Sequence, residues 1–251
     1  MPRFFIPASQ IRGATAVIEG RDADHMARSL RMRPGEIVVI VEEGRREHGV
    51  VLESVSPEQI EGRIVWSRDV TGEPGVEVHV LQAIPAKGMD ETVEALALAG
   101  ASAIWPVLTT RGVARPYPRR VSARLERWRV IAREAAQLAG RARAPVVHQT
   151  LSLDAALHAL PAGCRILACV IDAQDPAGST RAPSDHPVAV VVGPEGGLDD
   201  HDRRLLHAAG AVDVHLGARV MPSRLAGFLA VSLLLASTGD LAQPATPPPS
   251  R

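Results

Sequence analysis

Two glycine-containing loops hold the residues best suited to chemistry. The first, Gly193-Pro194-Glu195-Gly196-Gly197, follows the apolar run Val188-Ala189-Val190-Val191-Val192 and precedes Asp199, Asp200 and Asp202. The second, Leu216-Gly217-Ala218-Arg219-Val220-Met221, follows the run that begins at Val212 and precedes Pro222 and a long apolar segment. Pro194 fixes one φ angle, and Gly196 and Gly197 permit backbone conformations or close ligand approach that a Cβ forbids. Together the loops offer one carboxylate, Glu195, and one guanidinium, Arg219. Backbone groups would therefore do most of the holding.

The pattern excludes the common phosphate cradles. There is no Gly-x-x-x-x-Gly-Lys-Ser/Thr and no Gly-x-Gly-x-x-Gly with its acidic partner. The three aspartates occupy the positive end of the following helix, where they would repel a phosphate. A neutral or cationic ligand fits better. Arg219 has two open readings, a phosphate or substrate contact and a salt bridge to an acidic neighbour. Cys164 and Cys169 are the only cysteines; without further ligand partners they read as buried, reduced thiols, and no metal is expected.

These loops need a rigid frame. Five consecutive apolar residues with four valines predict a strand covered on both faces. Strands are expected at 76–84, 103–108, 165–171, 188–192 and 212–216, and helices at 89–99, 121–139, 152–160, 199–209 and 223–237. That alternation predicts an α/β unit with a mainly parallel sheet. Ligands of such sheets bind at the carboxyl ends of the strands. The loops at 109, 193 and 217 are thus expected to meet in one pocket, with Thr109 at its edge and the basic run Arg115, Arg119 and Arg120 beyond.

Residues 1 to about 70 have a different texture. Strands are expected at 36–42, 47–55 and 59–66, with one short helix over 22–30 carrying His25 and Arg28, and Arg31 and Arg33 just past its end. Arg3 and Arg12 can join them in space. Such a cluster suits an RNA backbone, and scattered solvated charges account for it equally. Thr71-Gly72-Glu73-Pro74-Gly75 reads as a linker, and Gln243 to Arg251, with four prolines, as a disordered tail.

Composition sets outer bounds. The 251 residues suffice for one large domain or two small ones, and the formal net charge is zero. No global field draws the chain to nucleic acid or membrane. Lys87 is the only lysine; arginine suits phosphate and base contacts, and a GC-rich genome yields the same bias. The N-terminus shows no secretion signal, and the longest apolar run, near 225–236, is too short for a bilayer.

Taken together, the Gly193 to Gly197 loop and Leu216-Gly217-Ala218-Arg219-Val220 resemble those of the SPOUT-class RNA methyltransferases. The most similar family methylates N3 of a uridine in 16S ribosomal RNA. Supporting matches run in order along the chain: Arg3-Phe4-Phe5, His25 through Leu30-Arg31-Met32-Arg33-Pro34-Gly35-Glu36, Gln82 to Lys87, Met89-Asp90, Gly100, Arg127-Trp128, Glu134-Ala135-Ala136 and Gly140-Arg141. The resemblance implies a PUA-like β-barrel at 1–72 that binds RNA, a SPOUT α/β domain with a trefoil knot at 73–241, and a tail at 242–251. It also implies S-adenosylmethionine held by Thr109, Gly193, Pro194, Glu195, Gly196, Gly197, Leu216, Gly217, Val220, Met221 and Ala226. Arg219 and Glu195 would serve catalysis, and Arg3, Arg12, Arg28, Arg31, Arg33 and Arg115 would contact RNA. The expected partners are 16S rRNA or the small ribosomal subunit and a second copy of the chain, in the cytoplasm, without metal or membrane.

The chain departs from that family in three places. After its arginine and two apolar residues the family commonly reads Arg-Thr-Glu-Thr-Ala, whereas this chain has Pro222-Ser223-Arg224-Leu225-Ala226. Ala97-Leu98-Ala99-Gly100 stands for Thr-Glu-Leu-Gly, and Gln137-Leu138-Ala139-Gly140-Arg141 for Glu-Gln-Ser-Gly-Arg. The reading at this level is that one buried polar network was replaced together by apolar groups. A non-catalytic RNA-binding relative and a methyltransferase with another RNA target are the alternatives to the uridine-N3 enzyme.

Overall fold

The structure, a computed structural model, describes residues 1–42, 44–112, 121–179, 186–242 and 244. Arg115, Arg119, Arg120 and nearly all of the expected tail lie outside the described residues, while Asp240–Ala242 forms a short 3-10 turn. The chain divides into two compact units.

The first unit comprises Met1–Glu73 with Ala136–Arg143. Six strands form one sheet in the order β1-β4-β5-β6-β3-β2. They are β1 (Arg3–Ile6), β2 (Ile11–Arg12), β3 (Thr15–Glu19), β4 (Ile37–Glu42), β5 (Arg46–Val55) and β6 (Gln59–Asp69). Only β1 and β4 pair in parallel. The sequence reading assigned β4, β5 and β6 and left out the first three. Those are short, and Phe4-Phe5-Ile6 and Ala16-Val17-Ile18 are unbroken buried runs without the alternation that announces a half-buried strand. The expected helix is one α-turn, α1 (Arg21–Asp24), followed by a π-turn over His25–Ser29. Phe4, Ile18, Met26, Ile40, Leu52 and Ile60 centre the core.

The second unit comprises Pro74–Ala135 with Ala144–Pro244. Its sheet is wholly parallel, ordered β10-β8-β7-β13-β11-β14-β12, with β9 also on β8. The central strands are β7 (Val78–Ala83), β8 (Ala103–Leu108), β11 (Arg165–Cys169), β13 (Val188–Val192) and β14 (Val212–His215). Two-residue strands β9 (Val146–Val147), β10 (Leu151–Ser152) and β12 (Asp175–Pro176) finish the edges. The helices are α2 (Met89–Ala99), α3 (Val121–Leu138, whose residues from Ala136 on belong to the first unit), α4 (Leu153–Ala159), α5 (Asp200–Ala208) and α6 (Ser223–Ser237). Ser152 caps α4 through its side chain, accepting from Ala155 N–H.

The valine run is apolar throughout because both faces of β13 are covered. Val188, Val190 and Val192 pack with Val93 and Leu96 of α2, Trp128 of α3 and Val231 of α6. Ala189 and Val191 face the opposite side, with Leu153 of α4 and Leu206 of α5. Burial of each valine contributes about 1.5–3 kcal/mol. Trp105 on β8 donates through Nε1 to His79 Nδ1 at 3.1 Å, and its ring stacks on His148 with centroids 3.4 Å apart. That bond leaves His79 Nε2 to carry the proton, 3.2 Å from Glu77 Oε1. Burial lowers the pKa of both histidines.

Candidate functional site

Because β11 lies between β13 and β14, the carboxyl ends of these three strands are neighbours. The loops leaving them enclose a pocket of about 300 Å³. Gly193, Pro194, Glu195 and Gly197 form one wall, Cys169, Val170 and Ile171 the second, and His215 to Val220 the third. Met221, Pro222, Ser223 and Ala226 close it at the start of α6. The lining is mostly backbone and apolar carbon. Burial pushes the Cys169 thiol up to about 12, so it is a neutral wall element and not a nucleophile.

The glycine-rich loop is tied on every side. Gly197, at φ 70°, donates to the Pro194 carbonyl at 2.9 Å. A Cβ on Gly193 would stand 3.0 Å from Leu198 Cγ and 3.1 Å from Leu198 N, so any larger residue would push against Leu198. Buried Ser223 donates from Oγ to the Gly193 carbonyl at 2.6 Å and accepts from Gln82 Nε2 at 3.3 Å. The Glu195 carboxylate accepts the Ala86 N–H at 3.1 Å. Arg111 Nη1 donates to the Gly196 carbonyl at 2.9 Å. Asp199 caps α5 by accepting Asp202 N–H at 2.9 Å, a bond that lowers its pKa.

Most of the residues expected at the ligand converge. Gly193, Pro194, Glu195, Gly197, Leu216, Gly217, Arg219, Val220, Met221 and Ala226 all line the pocket. Thr109 and Gly196 do not. Strand β8 is separated from β13 by β7, so its loop meets the back of the glycine-rich loop. There Thr110 donates from N–H and Oγ1 to buried Asp202, and Arg111 contacts Gly196. The third wall comes instead from Cys169 to Ile171, which the sequence reading placed inside a strand running to 171. The sheet order that brings that strand end to the site has no local sequence signal. Arg219 is exposed and makes no ion pair among the described residues, so the salt-bridge reading finds no partner there.

The arginines of the first unit separate into two roles. Arg3 is not a surface contact: its Nη2 lies 2.6 Å from Oε2 of fully buried Glu47, which Arg68 also holds. Removing Arg3 would leave the buried carboxylate with Arg68 as its remaining ion-pair partner, so the cost should be below the roughly 3–5 kcal/mol of a fully unpaired buried charge. Arg12, Arg28, Arg31 and Arg33 are exposed. Arg28 pairs with Asp24 one turn away at 2.7 Å, and Arg31 is held at φ 52°. Arg115 lies outside the described residues.

The three departures from the SPOUT pattern do not form one apolar replacement. Ala97 is buried, whereas Pro222, Arg224, Leu138 and Ala139 are exposed. The buried polar bonds at this site remain, carried by Gln82 and Ser223. A second pocket, of about 470 Å³, lies on the β7 side of the glycine-rich loop and shares Glu195, Pro222 and Ser223 with the first. Among the described residues no group of three or more His, Cys, Asp or Glu is placed to hold a metal, and no helix is long and apolar enough to cross a membrane.

Comparisons with known proteins agree with this geometry. The family model of the RNA methyltransferase domain matches residues 72–235. A ribosomal RNA small subunit methyltransferase E from Mycobacterium bovis is 32% identical over 235 residues, covering 91% of this chain and 88% of the relative. The Bacillus subtilis protein of the same name is 25% identical over 249 residues, covering 93% and 96%. Among solved structures, the Neisseria gonorrhoeae ribosomal RNA small subunit methyltransferase E bound to S-adenosylmethionine superposes with TM-score 0.84 at 25% identity, covering 94% of this chain and 97% of that one. A Legionella pneumophila methyltransferase with its bound cofactor gives 0.82 at 25% identity, covering 93% and 96%. A carboxyl-edge pocket walled by two glycine loops, within a domain matched over most of its length, places this chain in the RNA methyltransferase family, alongside the ribosomal RNA small subunit methyltransferase E proteins.

Proposed function

We propose that the chain is an S-adenosylmethionine-dependent methyltransferase that modifies N3 of a uridine in 16S rRNA of the small ribosomal subunit. The observation that carries this reading is the pocket between Gly193–Gly197 and Leu216–Met221, joined to family membership. Its size is at the lower end of small-molecule sites, about 300–1,000 Å³. The residues fit a cationic sulfonium ligand with a flat base: backbone groups and apolar carbon from Leu216, Met221 and Ala226 around a carboxylate, with no phosphate cradle. Gly193, Pro194, Gly197, Leu216, Gly217, Val220, Met221 and Ala226 would hold it. Bound there, the cofactor supplies an electrophilic methyl group.

The protein's own work is positioning and charge control. A uridine N3 is protonated at neutral pH and must lose its proton as the N–C bond forms. Glu195 is oriented by the Ala86 N–H at the border between the two pockets, where its carboxylate can accept that proton. Arg219, without an ion-pair partner among the described residues, is free to turn toward the uracil carbonyl oxygens and stabilise the imide anion. Arg12, Arg28, Arg31 and Arg33 of the first unit would contact the RNA backbone.

Finer structural assignments belong to the same proposal. The six-stranded sheet is a PUA-like barrel, and 73–241 is a methyltransferase domain with a trefoil knot. In support, β13 inserts between β7 and β11, which precede it in the chain, and α6 packs against both β13 and the Ala177–Ser179 turn. A cytoplasmic location belongs to the same proposal, as does a homodimer, which exposed Leu225 and Phe228 on α6 beside the pocket support.

Calorimetric titration with S-adenosylmethionine, followed by methyl transfer to small ribosomal subunits, tests the reading. Binding by the wild type and its loss in Gly217→Val are expected, because Gly217 lines the pocket at φ 96°. A folded protein that binds no S-adenosylmethionine would overturn the enzyme reading. Binding without transfer to any small-subunit RNA would favour the non-catalytic relative, and transfer to a different RNA would redirect the substrate.

A further inference from the structure

The second pocket lies outside the lining assigned above to the cofactor and shares Glu195, Pro222 and Ser223 with the first pocket. It is bounded by Ala86, Lys87 and Gly88 on the β7 to α2 connection, Glu91 on α2, Glu195, and Pro222 to Arg224 at the start of α6. Buried Thr92 joins the two sides, donating from Oγ1 to the Gly88 carbonyl at 2.8 Å and lying 3.3 Å from the Arg224 carbonyl. Gly88, at φ 85°, lets the Arg224 stem lie against the backbone: a Cβ there would sit 3.4 Å from Arg224 Cδ and 3.6 Å from Glu91 Oε2.

The charged groups decide what fits. Lys87 and Arg224 are exposed, and neither side chain has a hydrogen-bond or ion-pair partner among the described residues. Glu195 is engaged with Ala86 N–H, and Glu91 supplies the other carboxylate. A site for a bare anion would hold cations alone. Two cations beside two carboxylates match a ligand that presents both anionic oxygens and N–H donors. A uridine nucleotide does so, with its phosphate, its two carbonyl oxygens and its imide N–H. The volume, about 470 Å³, is within the range of small-molecule pockets. Arginine grips a phosphodiester with its planar fork and lysine as a point charge.

Resting on the methyltransferase reading, we propose that this pocket is the acceptor-nucleotide subsite, in which Lys87 and Arg224 together clamp the RNA phosphate next to the target base. The arrangement belongs to this chain's own sequence, since Arg224 stands where the SPOUT pattern commonly has glutamate. The clamp holds the base edge toward Glu195, on the border with the first pocket.

The test is fluorescence anisotropy of a labelled single-stranded RNA fragment over a salt series, for wild type, Lys87→Ala, Arg224→Ala and the double variant. S-adenosylmethionine affinity is measured in parallel by calorimetry. Each single variant is expected to weaken RNA binding about 3–10-fold and to lower the slope of log affinity against log salt by part of the roughly 0.7 that one single-strand phosphate contact carries. The double variant should lose both affinity increments and the whole of that one-phosphate slope, with cofactor affinity within twofold of wild type. Folded variants whose RNA affinity and salt slope match wild type overturn the clamp, and an effect confined to one cation overturns the pairing. Because RNA binding is read without turnover, a wild type that fails to bind S-adenosylmethionine would defeat the enzyme reading while the salt slopes still judged the clamp.

Discussion

The two loops that wall the first pocket are built on opposite principles. Gly193 to Asp199 is fastened from outside by Ser223, Ala86 and Arg111, and from inside by its own Pro194 to Gly197 bond. Leu216 to Pro222 has little of this. Gly217 N–H donates to His215 Nδ1 at 3.0 Å, and Val220 stands 74% exposed. One loop is a preformed wall, whose ordering cost is met in folding. The other has few such ties, so we expect it to adjust when a ligand binds. A ligand held largely by backbone needs the first kind of wall for selectivity and the second for entry and release.

The sharpest way to break this contrast is Gly193→Val. Its side chain would meet Leu198 backbone and side chain within about 3 Å, forcing the fixed loop to move. We expect S-adenosylmethionine binding to fall below calorimetric detection, and melting to drop by several degrees. Retained binding would mean that the wall is not preformed. Next in size is Arg219→Ala on the free loop. If Arg219 stabilises the developing anion, kcat should fall about 10²–10³-fold while cofactor affinity stays within twofold. A rise in the dissociation constant with unchanged kcat would assign Arg219 to binding.

Ser223→Ala probes the tie between the fixed loop and α6. It leaves the Gly193 carbonyl and Gln82 Nε2 short of a buried partner, with an expected cost of about 1–3 kcal/mol by chemical denaturation. Acid sharpens the contrast from below the loops. Burial lowers the pKa of His48, His79 and His148 from 6.5. The unfolded chain therefore takes up protons before the folded one, and stability present above about pH 6.5 declines as pH falls toward the lower folded values. Denaturation midpoints at pH 7.5 and 5.5 check the sign, and His79→Gln should flatten the dependence. The smallest effect belongs to Val220→Ala, expected within about 0.5 kcal/mol of wild-type stability. A large change there would show that the free loop is anchored after all.

Much of the second unit is written in its sequence. The valine run of β13, the Asp199 cap and the unbroken apolar stretch of α6 are local signals with local causes, so those elements lie within a residue or two of their expected bounds. The backbone freedom of the Gly193 and Gly217 loops was legible for the same reason, and Gly197 and Gly217 do take positive φ angles. The first three strands were not legible, because the buried runs of β1 and β3 lack a period and β2 is only two residues long.

Tertiary structure alone decided which loops meet. Sheet order is set by long-range pairing, and it put β11 between β13 and β14, substituting Cys169 to Ile171 for Thr109 in the pocket wall. It also brought Arg3 to buried Glu47, and it gave Lys87 and Arg224, distant in sequence, one shared pocket. A residue's chemistry is fixed by its type, but its partners are fixed by packing, and no local stretch of sequence encodes what will be packed beside it.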